Sequence, residues 1–277
     1  MKFTFIADFF ADEILGGGEL NNQELIEILR EREHEVIQTK SALVTPDFIK
    51  TNSDSFFIIA NFVMLSEDCK RVLADKNYLI YEHDHKYLPH RNPARCKEFK
   101  CPEQHIINRD FYGRAKAVLC QSQFHSDIVD KNLNTGNIIN LGGNLWSLDS
   151  LTKMREIASK EKQNKCSILD SNISHKNTIG AIQRCNSKGY EYELIKSSSY
   201  YEFLEKLGAN EKFCFFPKTP ETLSRVVVEA RMMNMSILIN RLIGAASEPW
   251  FSLKGNKLID IIEQKRKEIP EKIECLL

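Results

Sequence analysis

The order of apolar and polar segments predicts an α/β protein built from parallel sheets wrapped by helices. Three observations carry this expectation. Short, near-continuous apolar runs, the kind that strands buried on both faces display, recur along the chain, and polar or helix-patterned segments separate them. The alternation starts afresh past residue 165, so the second half repeats the style of the first. At 277 residues the chain exceeds a typical single domain, and two domains of about 100 to 150 residues are the natural division.

In order, residues 3–6 read as a first strand and 22–33 as a helix with Leu25, Ile26 and Leu29 on one face. Residues 55–61, 77–81 and 117–120 are buried-strand runs, and 137–141 is a further strand broken by Gly142-Gly143-Asn144. The charged, helix-prone stretch 149–165 has no strong apolar run and is read as a linker, which sets the first domain at 1–148. A strand at 166–170 opens the second domain, 166–256, followed by a helix at 177–185, a strand at 190–195, a helix at 200–207 and strands at 212–216 and 237–240. Residues 257–277 carry Leu258, Ile259, Ile261 and Ile262 among many charges and form an amphipathic terminal helix, with the first domain as its expected packing partner.

With 38 basic and 38 acidic residues the formal charge is zero, which removes any general attraction to nucleic acid or anionic membrane. The amino end runs straight into Asp8 without a signal-peptide pattern, so the eight scattered cysteines are expected to be reduced thiols of a cytoplasmic protein. No apolar run approaches the eighteen or so residues of a membrane span, which leaves peripheral contact as the mode of meeting a membrane. Cys96 and Cys101 with His105 come nearest to a metal pattern, but the gap is long for a zinc knuckle and no second pair follows. No metal and no cofactor are expected.

Open α/β sheets bind ligands beyond the carboxyl ends of their strands, and two such sheets predict a cleft between domains. Candidate residues stand at those positions. Gly17 and Gly18 follow the first strand and open a helix, where bare backbone amides suit a phosphate or a sugar hydroxyl; a plain flexible turn is the other reading. The cluster 82–87 follows another strand, and its His85 is the residue placed to touch a transferred sugar or its acceptor, against the alternative of a solvated polar loop. Ser174 and Lys176 precede a helix in the second half, where a lysine near free amides is a counter-charge for a diphosphate. Glu221 and Glu229 are the most informative pair. If their segment is helical they stand about two turns, roughly 12 Å, apart, the reach of a nucleoside diphosphate sugar, with Thr222, Leu223 and Arg225 between them. The triplet 226–228 is all valine and also reads locally as strand.

Taken together, Gly17-Gly18-Glu19, Ser174-His175-Lys176-Asn177 and Glu221-x7-Glu229 with Arg225 and Ala230 resemble the retaining family 4 glycosyltransferases of the GT-B fold, and the likeness spans both halves of the chain. The resemblance implies two Rossmann-like domains facing each other across a cleft, with the second holding the donor and the first shaping the acceptor site. It implies that Glu221 contacts the donor sugar, Glu229 the ribose, Lys176 and Arg225 the diphosphate with amides around Thr222 and Leu223, and that His85 stands beside the sugar. This chain departs from the family at two places. Gly142-Gly143-Asn144-Leu145 replaces the usual junction motif, and the basic pair of the second domain is His175 and Lys176, so Arg225 or Arg241 would have to compensate. The short length suggests a phage-like or minimal bacterial member.

The expected activity is transfer of a hexosyl group from a nucleoside diphosphate sugar, UDP-sugar above all, with retention and without a metal. The acceptor is left open among glycan, lipid and modified DNA, the last through a basic groove around Lys86, Arg91, Arg95, Lys97 and Lys100. The oligomeric state is also open. Two alternatives are a nucleotide-sugar epimerase on the same fold and a non-catalytic nucleotide or sugar-binding protein.

Overall fold

A computed structural model describes all residues from Met1 to Leu277, and they divide into two compact units. The first comprises Met1–Gly142 with Arg266–Leu277, the second Gly143–Lys265.

The first unit runs β1 (Lys2–Ala7), α1 (Gly17–Glu31), β2 (Glu35–Lys40), α2 (Pro46–Thr51), β3 (Phe56–Ile59), α3 (Glu67–Leu73), β4 (Tyr78–Tyr81), α4 (Arg109–Arg114), β5 (Val118–Cys120), α5 (Gln123–Leu133) and β6 (Ile138–Asn140). Its six strands are all parallel, in the order β2-β1-β3-β4-β5-β6. The central strands β3 and β4 are buried at every position, which is why they read as continuous apolar runs. By contrast β2, Glu-Val-Ile-Gln-Thr-Lys, escaped the sequence reading: it lies at the sheet edge, no residue in it is fully buried, and it never needed a continuous apolar run. Side-chain caps start several helices, with Ser66 accepting from Cys69 N–H and Ser122 from His125 N–H.

The second unit runs α6 (Leu148–Ala158), β7 (Gln163–Leu169), α7 (Thr178–Lys188), β8 (Tyr192–Ile195), α8 (Tyr200–Gly208), β9 (Asn210–Phe215), α9 (Arg225–Met232) and β10 (Ser236–Ile239). Its parallel sheet has the order β10-β9-β7-β8. On one face α7 covers Cys166, Ile168 and Cys214; on the other α6, α8 and α9 pack a larger core with Phe213, Phe215 and Ile195. The last helix, α10 (Asn256–Glu274), begins in the second unit, where Leu258, Ile259 and Ile262 join that core, and ends in the first, where Glu274 pairs with Arg32 at 2.7 Å and with His34 at 3.0 Å.

Two expectations are corrected here. Residues 149–165 are not a linker: most of the stretch is α6, whose Leu151, Met154 and Ile157 are buried in the second unit's core. Burying each such side chain stabilises by about 1.5–3 kcal/mol, and the spacing of three residues hides this stripe among charges. The cysteines are not all reduced either. Cys96 and Cys101 form a disulfide, their Cα atoms 5.1 Å apart, and so do not offer two thiolates to a zinc ion with His105. Cys69, Cys120, Cys166, Cys185 and Cys214 are buried free thiols and Cys275 is exposed.

Gly208, the last residue of α8, sits where a methyl group would overlap Ile157 Cγ2 and come within 2.8 Å of Met233 Sδ. Gly208→Ala is expected to destabilise the protein by about 1–3 kcal/mol through overpacking. Urea unfolding followed by circular dichroism should show a lower midpoint at unchanged slope; an equal or higher midpoint would contradict this packing.

Candidate functional site

In the second unit the strand order reverses between β7 and β9, so the chain leaves these two strands towards opposite faces and opens a crevice at their carboxyl ends. The segments after β7, β9 and β10 carry the residues of interest. After β7, a short turn Ser174–Lys176 precedes Asn177, which takes a left-handed conformation at φ 58° and donates through Nδ2 to Phe216 O at 2.7 Å. After β9, Glu221 to Leu223 is zipped onto the segment after β10: Glu221 N–H donates to Leu242 O, Gly244 N–H to Glu221 O and Ala245 N–H to Leu223 O.

Glu221 is therefore not in a helix. The helix expected to hold both glutamates begins only at Arg225, after Ser224 in a left-handed conformation at φ 75°, and the three valines lie inside it. The amides of Leu223, Ser224, Arg225 and Val226 find no backbone acceptor, the last three as the start of a helix dictates. Ser224 Oγ is also buried without a partner. A residue other than glycine with φ of 75° costs on the order of 1–3 kcal/mol, and such strain collects at functional sites. Sequence reasoning passed over Ser224, since a serine before a helix looks like an ordinary cap.

The structure brings Lys176 and Glu221 together. Lys176 Nζ stands 3.0 and 3.2 Å from the two carboxylate oxygens of Glu221 and 5.8 Å above the Phe215 ring. Both side chains keep partial solvent access. The cation expected on a diphosphate and the carboxylate expected on a sugar thus neutralise each other.

Glu229 is 3 % exposed. Its Oε1 accepts from Trp146 Nε1 at 2.9 Å and from Tyr200 OH at 2.6 Å, and Arg225 Nε lies 3.5 Å away. Burial, followed by the Glu229 charge, pushes the Tyr200 phenol well up, so it stays a donor. Oε2 has no protein partner and is not sealed in. Arg225 does not present an open cation: its guanidinium lies 4.1 Å from the Trp146 ring centroid, Nη1 donates to Leu145 O, and the residue is buried. Thr222 is half-buried, the Leu223 side chain belongs to the core and offers only its amide, and Ser174 is exposed.

In the first unit Gly17 is the first residue of α1 and Gly18 the second. A methyl on Gly18 would touch His83 Cγ at 3.6 Å, so the histidine beside the glycine turn is His83, not His85. His83 Nε2 is 2.5 Å from Asn22 Oδ1, and Nδ1 faces the Gln121 amide. Those partners suit a neutral ring, and burial, helped by Lys86, pushes its pKa down to about 3. His85, by contrast, is 1 % exposed, bonded through Nδ1 to Tyr87 OH at 3.0 Å, packed edge-on to His125, and sealed at Nε2. The structure thus places the residue expected beside a sugar in a sealed interior position, not at an accessible surface. The rest of the 82–87 cluster also turns inward. Lys86 Nζ lies 2.8 Å from both Glu82 and Asp84, Tyr112 OH donates to Glu82, and Arg91 pairs with Asp84 at 3.0 Å. Burial pulls the Lys86 ammonium down, but Asp84 and Glu82 outweigh it and keep it charged. Of the proposed basic groove, Lys86 is thus enclosed, Arg91 is paired and Lys100 donates to Lys131 O.

No protein-family model matches the chain, and no curated protein matches it in sequence. Solved structures match it in fold. The lipopolysaccharide outer core galactosyltransferase WaaB, in its apo form, superposes with a TM-score of 0.53 at 10% identity, covering 98% of this chain and 91% of that one. A glycosyltransferase from Rickettsia africae gives 0.52 at 11%, covering 99% and 93%. An alpha-glucosyltransferase in complex with UDP and a 13-mer DNA containing an HMU base gives 0.52 at 12%, covering 98% and 94%. The fold is that of the GT-B glycosyltransferases, two Rossmann-like units with parallel sheets.

Burial holds His85 down at about 4, and His125, enclosed with it, lies well below its ordinary value. Both stay neutral in the folded chain and take a proton only on unfolding. Their neutral forms favour the folded state fully above about pH 6.5, and that contribution is lost as pH falls towards the folded values. The expected loss is roughly 1.4 kcal/mol per histidine per pH unit below 6.5. Urea unfolding between pH 4.5 and 7.5 should show this slope, and His85→Leu should flatten it by about one proton; an unchanged slope in the variant would refute the assignment.

Proposed function

We propose that the chain is a glycosyltransferase that takes a UDP-sugar in the second unit and passes the hexosyl group to an acceptor hydroxyl. The carrying observation is the Glu229 carboxylate. Trp146 and Tyr200 hold one of its oxygens and leave the other bare, beside a helix start that offers four amides with no backbone acceptor. A carboxylate in this state accepts from a ribose diol, and the amides of Leu223 to Val226 meet the diphosphate. The UDP bound by a solved structure of the same fold supports uracil as the base of the donor.

In this reading the donor exchanges partners with the protein. Its diphosphate draws Lys176 away from Glu221, and the freed carboxylate accepts from hydroxyls of the sugar. Ser174 and Thr222 supply hydroxyls at the rim of the same crevice. The bond from the sugar C1 to the diphosphate oxygen breaks with its electron pair going to UDP, the acceptor oxygen bonds to C1, and the acceptor proton is released. Fixed amides and Lys176 stabilise the leaving charge, so the reaction proceeds without a metal, and we place it in the retaining class on the motif likeness. Arg225 acts at one remove, bracing Trp146 and Glu229.

UDP-glucose or UDP-galactose near 100 times its Kd should stabilise the protein by about 2.7 kcal/mol and raise Tm by several degrees, with no shift from GDP- or ADP-sugars. Glu229→Ala should abolish the shift. Lys176→Met should lower turnover about a hundredfold, and EDTA should leave turnover unchanged. If no nucleotide sugar shifts the wild type at millimolar concentration, the reading fails.

A further inference from the structure

The first unit has its own strand reversal, between β1 and β3, so the segments 8–16 and 60–66 flank a crevice at the carboxyl edge of its sheet. A single buried carboxylate gathers three segments there. Asp8 accepts from Val63 N–H at 3.0 Å through Oδ2, from Met64 N–H at 3.2 Å through Oδ1, and from the Ser41 hydroxyl. The Lys40–Glu13 ion pair ties the far side of the first segment to the end of β2. The backbone at this edge is therefore pinned.

The side chains it presents are apolar. Phe9, Ile14, Leu15, Leu43, Val63 and Met64 are all exposed, from 40% for Phe9 to 69% for Leu43. All six stand on segments that Asp8 and the Lys40–Glu13 pair tie together, and large apolar side chains exposed on tied segments of this kind mark a binding surface. The rim is not basic, because Lys40 is paired with Glu13 and Lys50 with Asp47. A phosphate backbone or an anionic headgroup finds no free cation among these residues. The floor of the crevice is polar. Glu19 Oε1 faces Asn61 Nδ2 at 3.5 Å, Asn61 Oδ1 faces Lys86 Nζ at 3.4 Å, and the Glu19 carboxylate fills the space that a methyl on Gly16 would need. Burial, and after it Asp84 and Asp8, raises the Glu19 carboxyl above the ordinary range. The Glu19 carboxyl and the Asn61 amide together offer acceptor and donor atoms, which match a hydroxyl.

We infer that this crevice binds a neutral amphipathic acceptor, a hydroxyl-bearing lipid whose head lies at Glu19 and Asn61 and whose apolar chain lies over the Phe9, Leu43, Val63 and Met64 rim. The inference rests on the transferase reading for calling the ligand an acceptor; the surface itself does not depend on it. Glu19 then acts as a positioning residue for the hydroxyl, and the apolar rim sets the class of acceptor.

The test uses the full chain with two probes, methyl β-glucoside and octyl β-glucoside, both below the micelle concentration and followed by isothermal titration calorimetry. The octyl chain should tighten binding about tenfold or more, the equivalent of roughly two buried methylenes. The triple variant Leu43→Ser, Val63→Ser, Met64→Ser should lose that gain and bind both probes alike. Glu19→Gln should weaken both probes by the same factor while the ratio between them persists. All variants should keep the wild-type thermal shift with UDP-glucose, which also reports that they fold. Equal binding of the two probes by the wild type would overturn the proposal, as would full octyl preference in the triple variant. A dimer that the triple variant dissolves, without any octyl preference, would assign the rim to a second copy instead. Rim-dependent octyl binding in a protein that UDP-glucose does not stabilise would uphold the amphiphile site and remove the transferase reading alone.

Discussion

When α9 packs Val227, Val228, Ala230 and Met232 into the second unit's core, it carries the Glu229 carboxylate in with them, and a buried charge must find donors there. It finds them on separate elements, the Trp146 indole just before α6 and the Tyr200 phenol at the start of α8, while the Arg225 guanidinium, one turn back on α9 itself, adds an ion-pair partner at 3.5 Å. Removing any one donor leaves part of a buried charge uncompensated, so the three elements are held in one arrangement by electrostatics as well as by apolar contact. The position of α9 then sets where its first-turn amides lie. The strained Ser224 and the zipper from Glu221 to Ala245 follow from bringing the chain onto that helix start.

The first unit solves a similar problem in another way. Glu82, Asp84, Lys86 and Tyr112 form a network at the end of β4 that satisfies itself, with Lys86 stacked 5.4 Å from the Phe62 ring. A cluster of titratable residues at a strand end looks catalytic in sequence, and here its members hold a loop. What stays accessible around it is Glu19, together with an apolar rim that Asp8 fixes in place.

The central strands and their parallel order were legible because strands buried on both faces need unbroken apolar runs, as in Phe56–Ile59 and Tyr78–Tyr81. The edge strand β2 and the helix α6 were not, because each buries only a part of its surface and mixes charges into its pattern. The two glutamates of the second unit stand out by their spacing, which fits a single helix, but only Glu229 lies in one. A left-handed serine divides them, and no propensity scale marks a serine for that conformation. Arg225 stands out in the sequence by its place between the two glutamates and His85 by its place after a strand. Their burial depends on Trp146, 79 positions before Arg225, and on His125, far along the chain from His85, contacts that no local window contains.

Sequence by itself determined the α/β class, the recurrence of two strand-and-helix units, and the presence of Lys176, Glu221 and Glu229 at strand ends and a helix start, since periodicity and apolar runs are local properties of the chain. Tertiary structure alone decided which charges are available and which are consumed: Lys176 paired with Glu221, Arg225 folded onto Trp146, His83 rather than His85 beside the glycine turn, and Cys96 bonded to Cys101. The physical reason is that the state of a polar side chain depends on its burial and its partners. Both are set by residues distant in sequence that only the folded chain brings within hydrogen-bonding reach.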